Sequence, residues 1–282
     1  MIVLLLTTLT GWLLAMLLRN PILCMISSGG LLRSNYRGEQ IPVAAGIMLS
    51  LISALVGGAV SGLGLASYRL GMAFSLLIMG FGLLGLVDDV MGSREKSGLK
   101  GHLLALVEER ILTTGALKAI YGGLLALAVS SMFGGGFWVI CLRTVVVALT
   151  TNLVNLLDLR PGRAIKGFLT LVTLAGLGAG LVGAGLWQGW YLVSGLVGAV
   201  MAYAPYDFRA RSMMGDAGSN VLGAGAGFAI CLTGMSLGVS WLAAWLIFLV
   251  SIHAYAEHYS ITKTIEASRI LRAIDGMGRG TK

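Results

Sequence analysis

The sequence predicts an all-α fold: a polytopic bundle of about nine to ten membrane-spanning helices, N-terminus outside and C-terminus cytoplasmic. Three observations carry that expectation. Of 282 residues, 57% are hydrophobic and only 11% charged, against roughly 25% charged in soluble globular domains. The apolar residues gather into runs of about 20, the length that crosses a bilayer. Finally, 42 glycines against 4 prolines suit helices whose backbones approach closely, because small residues set the packing distance inside a membrane. No Gly-X-Y period is present and Leu, Ile and Val are abundant, which excludes fibrous and disordered classes.

The first run, MIVLLLTTLTGWLLAMLL, carries no charge before Arg19. It has neither a basic n-region nor a small-residue cleavage site, so it reads as a first span and not as a secretory signal. Further runs follow at 41–66, 68–87, 103–133, 136–157, 165–186, 190–206, 218–237 and 239–256. The fourth is longer than one crossing needs. Its beginning, with Glu108, Glu109, Arg110 and Lys118, is expected to lie along the interface before the chain crosses. Residues 1–256 read as a single integral membrane domain and 257–282 as a cytoplasmic tail. In the tail, apolar Ile261, Ile265, Leu271 and Ile274 accompany basic Lys263, Arg269 and Arg272, as in an amphipathic helix lying on an anionic leaflet.

The connections alternate in character. Long charged ones (19–40, 88–102, 158–164, 207–217 and the tail) share one side, and very short ones (134–136, 188–189) share the other. All 12 Asp and Glu fall on the charged side or in the interfacial stretch. Arg69 and Arg143 are the basic residues assigned to the opposite face. The positive-inside rule makes the charged side cytoplasmic, in a plasma membrane. The net charge of +8 is then a consequence of topology and not of nucleic-acid binding. Cys24, Cys141 and Cys231 form no CxxC and no Cys/His cluster, and read as packing residues. His102, His253 and His258 lack zinc-ligand spacing.

Spans three, five, seven and nine each end at the charged face with an acid: Asp88/Asp89, Asp158, Asp207 and Glu257. A carboxylate at a helix C-terminus is disfavoured by ~0.3–1 kcal/mol. Several together call for a shared cation or a cluster of basic side chains. Mg²⁺ is the natural ion, since it takes oxygen ligands and is commonly held by one or two carboxylates plus substrate phosphates. Neighbouring helical residues point ~100° apart, so Asp88 and Asp89 must serve different partners. One is expected to face the site, the other to be oriented by a basic neighbour or a helix end.

Asn152, Asn155 and Asp158 are spaced three apart on one helical face. Buried amides and carboxylates need partners, which leaves two readings. They form an inter-helix hydrogen-bond network, or a pocket for a uridine or sugar with Arg160, Arg163 and Lys166 available for phosphate. The turn GDAGS at 215–219 opens span eight, where free N–H groups and the helix dipole favour anions. Following Arg209 and Arg211, it is either a simple cap or a cradle for a metal-bound diphosphate.

Taken in order, NYRGEQIPVAAG (35–46), the double Asp followed by GLKG (98–101), NLVNLLD (152–158) and GDAGSNVLG (215–223) resemble the polyprenyl-phosphate N-acetylhexosamine-1-phosphate transferases, glycosyltransferase family 4 of the MraY/WecA type. The resemblance implies attack of a polyprenyl phosphate on the β-phosphate of a UDP-N-acetylhexosamine, with Mg²⁺ required and UMP released. It also implies roles. Asp216 would be the metal ligand, Asp88 the base or the group orienting the lipid phosphate, and Asp89 its support. Asp158, Asn152 and Asn155 would lie at the nucleotide-sugar, with Lys100, Arg160, Arg163, Lys166, Gly215 and Ser219 around the substrates. Gly-rich helix faces are compatible with a homodimer.

The sequence departs from the family pattern in four places. Pro161 stands where a second Asp is common after the span-five motif. Leu104 stands where a lysine is expected, with Lys100 nearby. VAAG replaces Thr-x-Gly-Gly, and the His-rich loop of the MraY branch is missing. The last departure favours a simpler amino sugar over MurNAc-pentapeptide, which is the alternative donor. A lipid transporter or an inactive membrane scaffold is the alternative from another class. A transporter calls for ionisable residues at mid-span or broken inverted repeats, and neither is present.

Overall fold

The computed structural model describes residues 1–92, 113–182 and 187–279. Helix α1 (Ile2–Ser28) leads into a two-stranded antiparallel hairpin, β1 (Leu32–Ser34) and β2 (Gln40–Pro42), in which Arg33 pairs with Ile41. Then follow α2 (Ile47–Gly62), α3 (Tyr68–Met91), α4 (Thr114–Met132), α5 (Phe137–Leu157), α6 (Arg163–Val182) and α7 (Trp187–Phe208). The chain ends with α8 (Gly215–His258), α9 (Ile261–Ala267) and α10 (Arg269–Gly276). Helices α1, α3, α4, α5 and α8 are each long and apolar enough to cross a membrane. The protein is a helical membrane protein.

The fold corrects the sequence reading at its start. The first helix continues ten residues past the expected end at 18, to Ser28, with Pro21 inside it. The second expected run, 41–66, begins with strand and turn, and its helix starts only at Ile47. Backbone bonds explain the delay. Met213 N–H donates to the Pro42 carbonyl at 2.8 Å, Ala45 N–H to Met213 at 3.1 Å and Gly46 N–H to Met214 at 2.9 Å. The segment is thereby zipped to the entry of α8 before it can coil.

A straight helix of 44 residues would run ~66 Å, about twice the ~30 Å hydrocarbon core. Helix α8 is instead broken at Gly238, whose φ of 77° favours glycine over any residue with a Cβ. Trp241 Nε1 donates to the Ile230 carbonyl at 3.0 Å. In a straight helix eleven residues span ~16 Å, so the second half must fold back along the first. This break separates the runs read at 218–237 and 239–256.

The first half of α8 is the axis of the bundle. Every residue from Ala217 to Gly234 is buried, packed among α3, α5 and α6. Small residues permit this. A Cβ on Gly85 of α3 would strike the backbone of Asp216, and one on Gly46 would strike Gly218. Arg69 and Arg143 donate to the Ser131 and Gly134 carbonyls at the far end of α4, where cations complement a helix C-terminus.

The tail forms two helices and not one. Ser268 is extended (φ −89°, ψ 125°) and its hydroxyl accepts from Leu271 N–H at 3.4 Å, capping α10 and separating it from α9. Through Asp275, α10 is tied to the start of α6.

Gly85→Ala is expected to destabilise the bundle by ~1–3 kcal/mol, the usual cost of overpacking. Gly58→Ala, with nothing within 4 Å of its added methyl, is expected to be neutral or stabilising by up to ~1 kcal/mol. Thermal unfolding of the purified protein in detergent checks both.

Candidate active site

The ends of α3, α5 and α7, the start of α8 and the β1–β2 hairpin enclose a cavity of about 290 Å³ at one end of the bundle. Asp89, Asp158, Asp207 and Asp216 line it, with Arg33, Arg160, Asn35 and Tyr36 among the other wall residues. Three of the four acid-terminated spans therefore meet at one place. The fourth does not, because Glu257 is exposed and lines no part of the cavity.

Asp88 and Asp89 divide as their helical offset requires. Asp89 is buried and its carboxylate accepts from Asp216 N–H at 3.0 Å and Ala217 N–H at 2.9 Å. It thus supplies from another helix the anion that a helix N-terminus favours. Gly215, at φ 69°, makes room, since a Cβ there would enter the Asp89 carboxylate. Arg33 Nη2 donates to the Asp89 carbonyl at 2.8 Å. The expectation that the N–H groups opening α8 cradle a diphosphate needs correction at these two residues. Their donors are occupied by Asp89.

Asp88 faces the other way. Lys118 Nζ lies 3.1 Å from its Oδ2 and also pairs closely with Asp216 Oδ2. Two carboxylates from α3 and α8 thus converge on one cationic centre from α4. Lys118, read from sequence as part of an interfacial stretch, lies in the second turn of a membrane helix. Its signal was a lone lysine in an apolar run. The expected lysine position at Leu104, the GLKG stretch, Lys100 and the acids at 108 and 109 lie outside the described residues.

The span-five face splits. Asp158, the residue closing α5, lines the cavity. Asn155 Nδ2 donates to Ser219 Oγ at 3.0 Å, so these two side chains join α5 to α8, as the network reading had it. Asn152 is exposed and does not line the cavity, contrary to the expectation of a buried pocket residue. Of the three cations, only Arg160 lines the cavity, while also pairing with Glu266 at 2.6 Å. Arg163 is taken by Asp275 and Thr262, and Lys166 by the Ile274 and Asp275 carbonyls. Both are committed to the tail and not to a phosphate in the cavity.

Asp207, the acid read at the end of span seven, is buried and accepts from Gly162 N–H at 2.6 Å. One further wall element escaped the sequence reading. Asn35 Oδ1 accepts from the Arg37 and Glu39 amides at 2.8 and 3.0 Å, and its Nδ2 donates to the Ala210 carbonyl at 3.1 Å. This Asx-type turn shapes the hairpin and fixes it over the cavity. Asn-Tyr-Arg-Gly was its visible turn signal.

Asp88 and Asp216 converge closely enough to share a cation, and the Lys118 ammonium fills that place here. Among the described residues no three His, Cys, Asp or Glu side chains form a metal cage. A two-carboxylate site of hard oxygens fits Mg²⁺ if substrate phosphates complete the coordination, as they commonly do.

Residues 71–235, from the first turn of α3 to the middle of α8, match the sequence pattern described as glycosyl transferase family 4. The chain belongs to that family. It is also similar to a phospho-N-acetylmuramoyl-pentapeptide-transferase of Desulforudis audaxviator (strain MP104C), at 32% identity over 178 residues. That match covers 58% of this chain and 53% of the relative, so the chain spans about half the length of the curated relative. The family segment contains Asp88, Asp89, Lys118, Asp158, Asp207 and Asp216. It leaves out the hairpin and the tail.

Burial pushes the Asp275 carboxyl up, but hydrogen bonds and charge from Arg163 and Arg279 outweigh it and hold the group below the usual carboxylate range. A depressed folded-state pKa stabilises fully above the unfolded value of about 3.9 and loses its contribution as pH falls through the folded value. The thermal midpoint of the unmodified protein should therefore exceed that of Asp275→Asn at neutral pH. The gap should narrow below about pH 4 in thermal scans across pH.

Proposed function

We propose that the protein transfers a sugar-1-phosphate, most simply that of an N-acetylhexosamine, from a UDP-sugar to a polyprenyl phosphate. The reaction starts a cell-envelope glycan and takes place on the cytoplasmic face of the plasma membrane. The observation that carries this reading is the convergence of Asp88 and Asp216 on one cationic centre, within the family segment and joined to the cavity wall through Asp216. Phosphoryl transfer depends chiefly on positioning and charge neutralisation, and this is a place where both can be supplied.

In this reading an oxygen of the lipid phosphate attacks the β-phosphorus of the donor, the bond to the bridging oxygen breaks, and UMP leaves with that oxygen. Asp216 and Asp88 would hold Mg²⁺ in exchange for the Lys118 ammonium that now lies between them, and the ion would supply charge neutralisation at the diphosphate. Asp88 also orients the lipid phosphate or takes its remaining proton. Before the ion binds, Lys118 balances the paired carboxylates and keeps them convergent. Asp89 holds Asp216 in place through the first turn of α8. Arg33 and Arg160 are the cations that line the cavity and would turn from the Asp89 carbonyl and from Glu266 to meet the diphosphate, and Asp158 is the acceptor open to the uridine or sugar. A site at the edge of the bundle lets a lipid keep its phosphate at the interface and its chain in the bilayer.

A second reading has UDP-MurNAc-pentapeptide as donor, and the printed name of the Desulforudis relative favours it. Both readings share the chemistry and differ in what hangs from the sugar. Incubation with undecaprenyl phosphate, Mg²⁺ and each donor in parallel separates them by which one releases UMP. No release from either donor would refute both.

Asp216→Asn is expected to lower UMP release at least ~100-fold, the scale of losing one preorganised electrostatic group. Chelation of Mg²⁺ should stop the reaction and its re-addition restore it. Unchanged turnover in the variant would remove Asp216 from the metal role.

A further inference from the structure

The tail lies outside the family segment, yet its contacts meet at one wall of the cavity. That wall is the α5–α6 connection, of which Asp158, Arg160 and Pro161 line the cavity. Asp275 on α10 is buried and receives Arg163 Nε and Nη2, both at 3.0 Å. It also receives Arg279 Nη1 and Nη2 at 3.1 and 2.8 Å. Arg279 reaches on, its Nε donating to the Pro161 carbonyl at 2.8 Å. Lys166 donates to the Ile274 and Asp275 carbonyls at 2.9 and 2.6 Å, at the C-terminus of α10 where a cation is favoured. From inside the bundle, Asp207 accepts from Gly162 N–H at 2.6 Å.

The connection is thus gripped from both sides. It contains Gly162 at φ 79°, a residue that by itself restrains the backbone little. Forked guanidinium–carboxylate pairs are directional and strong, and a buried pair that loses one partner leaves a charge uncompensated. The outer pair, Arg160 with Glu266, is about half exposed on both sides and holds weakly by comparison.

We propose that Asp275, Arg163 and Arg279 form a clasp through which the C-terminal tail positions the Asp158–Pro161 wall and so sets the grip of the cavity on the nucleotide-sugar. These are positioning residues and touch no substrate. The effect on the nucleotide-sugar rests on the transferase reading above; the restraint of the wall does not.

The test uses the full chain in lipid nanodiscs, with Asp275→Asn, Arg279→Ala and, as control, the exposed Arg272→Ala on the same helix. Hydrogen exchange at the Leu159, Arg160 and Gly162 amides should quicken ~10-fold or more in the first two variants, as local opening becomes easier, and stay unchanged in the control. For whichever UDP-sugar the unmodified protein turns over, KM should rise ~5-fold or more with kcat within ~2-fold, the pattern of lost ground-state binding. Unchanged exchange in both clasp variants overturns the proposal. So does a fall in kcat at constant KM that tracks the fraction of folded protein, which would mark a structural role alone. If Asp275→Asn does not fold, Arg279→Ala, which keeps the Arg163 pair, decides. If the unmodified protein turns over no donor, the transferase reading fails while the exchange measurement still judges the clasp.

Discussion

The Asp89 carboxylate resting on the first N–H groups of α8 is the contact on which the rest of the site depends. It seats the end of α3 against the beginning of α8, and that seating places the neighbouring Asp88 and Asp216. Gly85 lets the two backbones close, and Gly215 leaves the carboxylate its space. With Asp89 turned toward the helix end, the 100° step of the helix turns Asp88 toward Lys118 and Asp216. One contact converts two adjacent acids into a brace and a partner for the Lys118 ammonium.

The same constraint explains why acids crowd a place where the helix dipole opposes them. Four of the five find a compensation: backbone amides for Asp89 and Asp207, one shared ammonium for Asp88 and Asp216. Asp158 stands in the cavity wall without such a partner among the hydrogen bonds and ion pairs described. A cavity with this many carboxylates and with cations at its rim suits a ligand whose own charge is mixed, such as a diphosphate carried with a divalent ion. The bundle provides the rigidity. Its axis is an all-buried, small-residue helix, so the site sits on a framework with little freedom to shift.

Much of the helical plan was visible in one dimension. Hydrophobic runs of bilayer length report α3, α5 and the two halves of α8, because membrane burial requires every such segment to satisfy its own backbone. The hairpin was missed because its pairing partners are only three residues long, and the hydrogen bonds that delay α2 come from Met213 and Met214, far away in sequence. Lys118 was misplaced for a related reason. A charge in an apolar run looks like a boundary when its counter-ions sit on other helices. Arg163 and Lys166 looked free for phosphate because nothing local shows that α10 returns to claim them.

By itself the sequence determined the class of the protein, the approximate helices and the side of the bundle on which its acids gather. Composition and period are local properties, and a bilayer reads them directly. Tertiary structure alone decided which of two neighbouring aspartates braces and which faces the cation, and that Asn155 meets Ser219 while Asn152 looks outward. It also decided that the tail closes on the cavity wall. Those outcomes turn on ångström-scale approach between distant segments, and no spacing along the chain encodes that distance.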